Sequence, residues 1–176
     1  MKKILALACT AALLSVPAYA ELQSGARAPD FSATASIGGK RFNFALTDAL
    51  KKGPVVLYFY PAAFTPGCTI EAHNFADAMD DFQKLGATVI GVSHDNIATL
   101  DKFSLTECRS KFPVAADTDG KIMRNYDAVA DSEYAQRVSY VIAPDGRVLY
   151  SYKAGDPTHH VEYTMAAVKK YASEHH

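Results

Sequence analysis

An excess of charge of either sign is missing from this 176-residue chain: 18 lysines and arginines stand against 19 aspartates and glutamates, a formal net charge of −1. Without it there is no long-range field to gather nucleic acid or an anionic membrane surface, so small or neutral substrates fit best. Long hydrophobic runs are also missing. The apolar stretch from Ile4 to Leu14 is shorter than the about 20 residues a bilayer-spanning helix needs, and no later run reaches that length. No internal repeat, low-complexity tract or linker divides the chain. Cysteine is scarce, at three residues, and no Cys-x-x-Cys pair occurs. In Thr65-Pro66-Gly67-Cys68 the first place of such a pair is held by threonine. Histidines at chelating spacing are absent too. His159 and His160 are adjacent, so on a helix they point about 100° apart and cannot grip one ion together. No metal and no cofactor is expected, and these two read as capping or surface residues. His94-Asp95 reads as a solvated loop, and His175-His176 as tail.

The first residues are informative. Lys2 and Lys3, the apolar stretch and Ala18-Tyr19-Ala20 have the order of a cleavable secretory signal. The expectation is a signal over residues 1–20, loss of Cys9 with it, and a product over residues 21–176. That product would be exported, free of the membrane and of periplasmic type. Its length suits one domain. Cys68 and Cys108 then remain in a compartment that permits disulfides. Composition alone leaves open whether they form a structural bridge or carry chemistry.

Periodicity orders the elements. Ser32 to Phe44 reads as a hairpin around Ile37-Gly38-Gly39-Lys40, preceded by a short extended piece from Arg27 to Phe31. Pro54 to Tyr60 is a continuous β-branched and aromatic run, the pattern of a strand buried on both faces. Phe75, Met79 and Phe82 share one face of a helix over Pro66 to Leu85, which Gly86 ends. Ala87 to Val92 is a second buried strand, completing a strand-helix-strand unit. A helix over Asn96 to Glu107, a short strand over Phe112 to Ala116 and a short helix over Lys121 to Tyr126 follow. Val138 to Ala143 and Arg147 to Tyr152 flank Pro144-Asp145-Gly146, an antiparallel hairpin. Val161, Met165 and Val168 mark the inner face of a last helix. The sum is α/β: a thioredoxin-like fold, a central mixed sheet flanked by helices, with an N-terminal hairpin extension.

Chemistry concentrates where the first buried strand hands over to the long helix, the edge of an α/β sheet that favours reactive groups. Pro66 suits an early helical position, which puts Cys68 in or beside the first turn. Unpaired backbone N–H groups and the positive end of the helix dipole favour a thiolate there. Raising the thiolate share from the about 3 % of an ordinary cysteine at pH 7 to about 90 % gains about thirtyfold. That gain is modest, so a fast reaction of this thiolate needs further donors to stabilise the charge that develops in it.

Pro61, Thr65 and Cys68 stand in the order P-x-x-x-T-x-x-C, and the segment resembles the peroxiredoxins, in particular the bacterioferritin comigratory, or Q-type, branch. The likeness extends to Ala28-Pro29-Asp30-Phe31, Gly91-Val92-Ser93, Arg137 to Ile142 and Thr158-His159-His160. The resemblance implies a thiol-dependent peroxidase acting on hydrogen peroxide and small organic hydroperoxides. Cys68 would be the nucleophile, Thr65 would hydrogen-bond sulfur and peroxide, Arg137 would hold the thiolate and the departing oxygen, and Pro61 would shield the pocket. Without the resemblance Thr65 is a helix cap, Pro61 a strand end and Arg137 a surface charge. Many Q-type members carry a second cysteine five positions after the first, where this chain has His73. Cys108 is then the resolving candidate, and its neighbours Arg109, Ser110 and Lys111 suggest a mobile, electropositive setting. The implied partner is a thioredoxin-like reductant, the implied state a monomer. A thioredoxin-type disulfide oxidoreductase is the alternative, and a copper-binding module using Cys68, Cys108 and a histidine a further one.

Overall fold

In the strand Val55–Phe59, named β3 below, side chains alternate between two hydrophobic cores, and the whole architecture follows from that alternation. Val55, Leu57 and Phe59 face one core, whereas Val56, Tyr58 and the following Tyr60 face the other. A strand buried on both sides needs helices on both sides, as a parallel α/β sheet does. The computed structural model describes residues 21–129 and 132–175. The expected signal segment, Cys9 and His176 lie outside the described residues.

The described residues build a seven-stranded sheet in the order β2-β1-β5-β4-β3-β6-β7. β1 (Ser32–Ile37) and β2 (Lys40–Ala45) are the N-terminal hairpin, with Gly38 and Gly39 at φ 56° and 77° in its two-residue turn. β4 (Thr88–Ser93) and β5 (Val114–Ala116) run parallel to β3. β6 (Val138–Ile142) pairs antiparallel with β3, and β7 (Val148–Lys153) antiparallel with β6. Short helices α1 (Leu46–Leu50) and α4 (Lys121–Asn125) cover one face. The longer α2 (Pro66–Lys84), α3 (Ile97–Thr106) and α5 (His160–His175) cover the other.

The expected thioredoxin-like arrangement and its hairpin extension are present, with two differences. α1 has no counterpart in the sequence reading: it follows β2 directly at Leu46, with no turn residue to separate it from the hairpin. On α5 the fully covered positions are His160, Thr164, Val168 and Ala172, while Val161 and Met165 are only partly covered. The buried stripe thus runs one residue ahead of the apolar pattern and takes in two polar side chains.

Candidate active site

β3 ends against the start of α2, and the turn between them is held from below. Asp95, just past β4, accepts hydrogen bonds at Oδ2 from the Ala63 N–H and the Ser93 hydroxyl, both at 2.8 Å. This anchors a turn in which Phe64 sits at φ 65°, a strained conformation for a bulky residue. Its exposed ring packs edge-on against Phe103 of α3, centroids 5.2 Å apart. Thr65 is the N-cap of α2 and Pro66 its first residue. Gly67 and Cys68 follow as the first N–H-bearing positions of the helix, with no carbonyl one turn back to bond. Cys68 is therefore set at the positive end of a 19-residue helix, and its side chain is buried.

Arg137 reaches the same point from the neighbouring strand. The register of β6 on β3 sets Val138 opposite Phe59, so the residue before Val138 lies beside the end of β3. The guanidinium uses each nitrogen separately. Nη2 donates to Cys68 Sγ at 3.5 Å, Nε donates to the Gly155 carbonyl at 3.0 Å, and Nη1 is ion-paired with Glu71. Gly67 makes this approach possible, since a Cβ there would lie 3.0 Å from Nη2. Burial works against the charge of Arg137, but Glu71 and Cys68 outweigh it and raise its pKa further. The site is thus a covered sulfur facing a fixed cation and a helix N-terminus, which suits it to be a nucleophile and to steady negative charge on a reacting partner.

Behind Arg137 lies a buried polar chain that sequence reasoning missed. Glu71 is fully buried, one helical turn beyond Cys68 on the same face of α2. Burial pushes its carboxyl up to about 8 against the opposing pull of Arg137. Its Oε1 has no hydrogen-bond partner and lies 3.6 Å from Nδ1 of His160. His160, also fully buried, contacts the Ser139 hydroxyl through Nδ1 at 2.8 Å and the Ala154 carbonyl through Nε2 at 3.1 Å. Burial pushes its pKa down to about 4. The surface role expected for the adjacent histidines holds for His159, which is exposed and paired with Glu162; His160 lies inside. The spacing from Cys68 to Glu71 was the available signal, since residues three apart share a helix face. Asp95, read as part of a solvated loop, is another missed positioning residue.

The remaining sequence candidates are placed as follows. Thr65 does not direct its hydroxyl proton at the sulfur; it donates to the Ala62 carbonyl at 2.9 Å. Pro61 is half-buried at the start of the turn. Cys108 is fully buried in the same core as Cys68, and both thiols are free. The electropositive setting expected for Cys108 is not found. Burial, and then the neighbouring Glu107, pushes its pKa well up. Arg109 and Lys111 are engaged with Asp77 and Asp80 of α2, and Glu107 with His73. Among the described residues no group of three or more His, Cys, Asp or Glu is placed to hold a metal ion.

Comparison with known proteins identifies the family. The AhpC/TSA family model matches residues 24–151. The putative peroxiredoxin bcp of Helicobacter pylori is 39% identical over 120 residues, covering 68% of this chain and 72% of that protein. The chloroplastic peroxiredoxin Q of Gentiana triflora is 33% identical over 153 residues, covering 85% and 68%. Among solved structures, the peroxidoxin BcpB of Mycobacterium tuberculosis superimposes with a TM-score of 0.77 at 28% identity, covering 85% of this chain and 97% of that one. The chain therefore belongs to the AhpC/TSA family, among the Bcp/Q peroxiredoxins, which are thiol peroxidases.

Proposed function

We propose that this protein reduces hydrogen peroxide and small organic hydroperoxides in a two-cysteine cycle: Cys68 attacks, Cys108 resolves, and a thioredoxin-like dithiol protein restores both. The observation that carries the reading is the contact of Arg137 with the Cys68 sulfur at the start of α2. The thiolate attacks one peroxide oxygen, the O–O bond breaks, and the leaving oxygen takes a proton, so ROOH becomes ROH and Cys68 becomes a sulfenic acid. Arg137 donates to the charge that develops on the oxygens. The Thr65 hydroxyl proton is engaged by Ala62, which leaves the oxygen's lone pairs to accept the peroxide O–H. Half-buried Pro61 narrows the entrance.

In the second step the Cys108 sulfur displaces water from the sulfenic acid. A disulfide needs Cα atoms within about 7 Å and sulfurs in bonding contact, and the core position of Cys108 leaves its thiol protonated and shielded. The shielding of both thiols has to be relieved first, by loosening of the turn from Glu107 to Lys111 or of the start of α2. A reductant then supplies two electrons and two protons. The order of Lys2-Lys3, an apolar stretch and Ala18-Tyr19-Ala20 supports a periplasmic setting for this cycle, with a periplasmic reductant; a monomeric, membrane-free enzyme is part of the same proposal. A disulfide reductase is less well supported, because Thr65 occupies the place of the first cysteine of a Cys-x-x-Cys pair.

Mass spectrometry of peroxide-treated protein tests the cycle. The expected product is an intramolecular Cys68–Cys108 disulfide that Cys108→Ser abolishes. A stable Cys68 sulfenate alone, or a bond between two chains, would show that Cys108 does not resolve.

A further inference from the structure

The buried chain behind Arg137 has a proton to account for. The Ala154 carbonyl can only accept, so Nε2 of His160 carries a hydrogen. In the neutral ring Nδ1 is then an acceptor and takes the Ser139 hydroxyl proton. An ionised Glu71 would thus turn an unpartnered oxygen toward a nitrogen lone pair 3.6 Å away, with both groups shut off from water. One added proton, on Oε1 or on Nδ1, converts that opposition into attraction once the Ser139 hydroxyl rotates, either freeing the Nδ1 lone pair or accepting from Nδ1–H. It also balances the interior. A Cys68 thiolate, the Arg137 cation and a Glu71 carboxylate sum to one negative charge, and the added proton brings the cluster to neutrality, which burial favours.

We propose that Glu71 and His160 share one proton between Oε1 and Nδ1, and that this proton leaves the charge of Arg137 available to Cys68, making His160 a positioning residue for the nucleophile. The inference rests on Cys68 being the reactive sulfur. While the proton stays, Arg137 has a single anionic partner. When it leaves, the Glu71 carboxylate competes for the guanidinium, and less donor strength is aimed at the sulfur and the departing oxygen. The upward push of burial on Glu71 and its downward push on His160 both favour retention of the proton on the carboxyl near neutral pH. The other groups facing the pair are Tyr58 of β3, whose hydroxyl burial keeps protonated, Tyr152 of β7, whose ring centroid lies 4.8 Å from that of His160, and Asp156 and His159 in the approach to α5.

The test combines the pH dependence of peroxide reduction with infrared difference spectroscopy. Wild-type protein is expected to lose at least about threefold in its peroxide rate constant between about pH 7 and about pH 9.5. Over the same range one protonated-carboxyl band should disappear. Glu71→Gln has nothing left to titrate, so both the alkaline fall and the band should be gone. His160→Gln puts an amide donor beside Oε1 and favours the carboxylate, which should move the fall about one pH unit lower. A merely structural role for His160 would lower the rate without moving the profile. An alkaline fall that persists in Glu71→Gln, or a wild-type spectrum without the carboxyl band, overturns the inference. So does a band that titrates while the peroxide rate stays flat. If the protein consumes no peroxide at all, the peroxidase reading fails, and the band together with the pH profile of Cys68 alkylation still decides the proton claim.

Discussion

Replacing Arg137 with lysine keeps the positive charge and removes the fork, which separates the two properties on which the site depends. The guanidinium serves the Gly155 carbonyl at 3.0 Å, Glu71, and Cys68 Sγ at 3.5 Å from three different nitrogens. A single ammonium cannot reach all three, so at least one of these partners loses its donor. Loss of the Gly155 bond alone costs about 1 kcal/mol of stability, so the variant should fold. The kinetic effect should be larger. A preorganised donor aimed at developing charge contributes about 2.7–4 kcal/mol, or about 10²–10³ in rate. Stopped-flow reduction of hydrogen peroxide under a fixed dithiol reductant is therefore expected to slow by about that factor in Arg137→Lys. A rate within about threefold of wild type would show that charge alone suffices and that the fork reaching the sulfur is irrelevant.

Gly67→Ala should raise stability by about 1 kcal/mol through helix propensity, yet its Cβ would press on Nη2 of Arg137 at 3.0 Å. A thermal melt that holds or rises while the peroxide rate falls about tenfold would separate the two effects. The turn that carries Cys108 is tied to α2 by His73–Glu107, Arg109–Asp77 and Lys111–Asp80. Exposed pairs of this kind contribute about 0.2–1 kcal/mol each, so Asp77→Asn with Asp80→Asn should speed disulfide formation after a peroxide pulse by about twofold to about thirtyfold. High salt should bring wild type toward the variant, and equal rates at low salt would show that opening this turn does not limit resolution.

The elements that locate the site were legible because their signals are local. The run from Val55 to Tyr60 and the turn Pro144-Asp145-Gly146 state their structure within a few residues, and so does Pro66 ahead of Cys68. What the sequence could not show are contacts made across the sheet. Nothing near Glu71 says that Arg137, 66 positions away, will meet it inside the protein, and a glutamate on a helix is ordinarily exposed. His159 and His160 look alike in sequence, and only the docking of α5 on β6 decides which one is covered. The surroundings of Cys108 differ from the expectation for a related reason. Arg109 and Lys111 suggested an electropositive thiol, but the chain turns through left-handed conformations at Arg109 and Ser110. The Arg109 and Lys111 side chains pair with α2 while the sulfur stays inside the core. A run of polar letters reports that a segment meets water, and does not say which of its members does.

The most direct test is to mix reduced Cys68→Ser protein, its Cys108 intact, with one equivalent of hydrogen peroxide and follow the oxidant. Wild type should remove it rapidly without any added reductant, whereas the variant should leave it at the level of buffer. Removal at the wild-type speed by the variant would mean that the sulfur beside Arg137 is not the group that attacks.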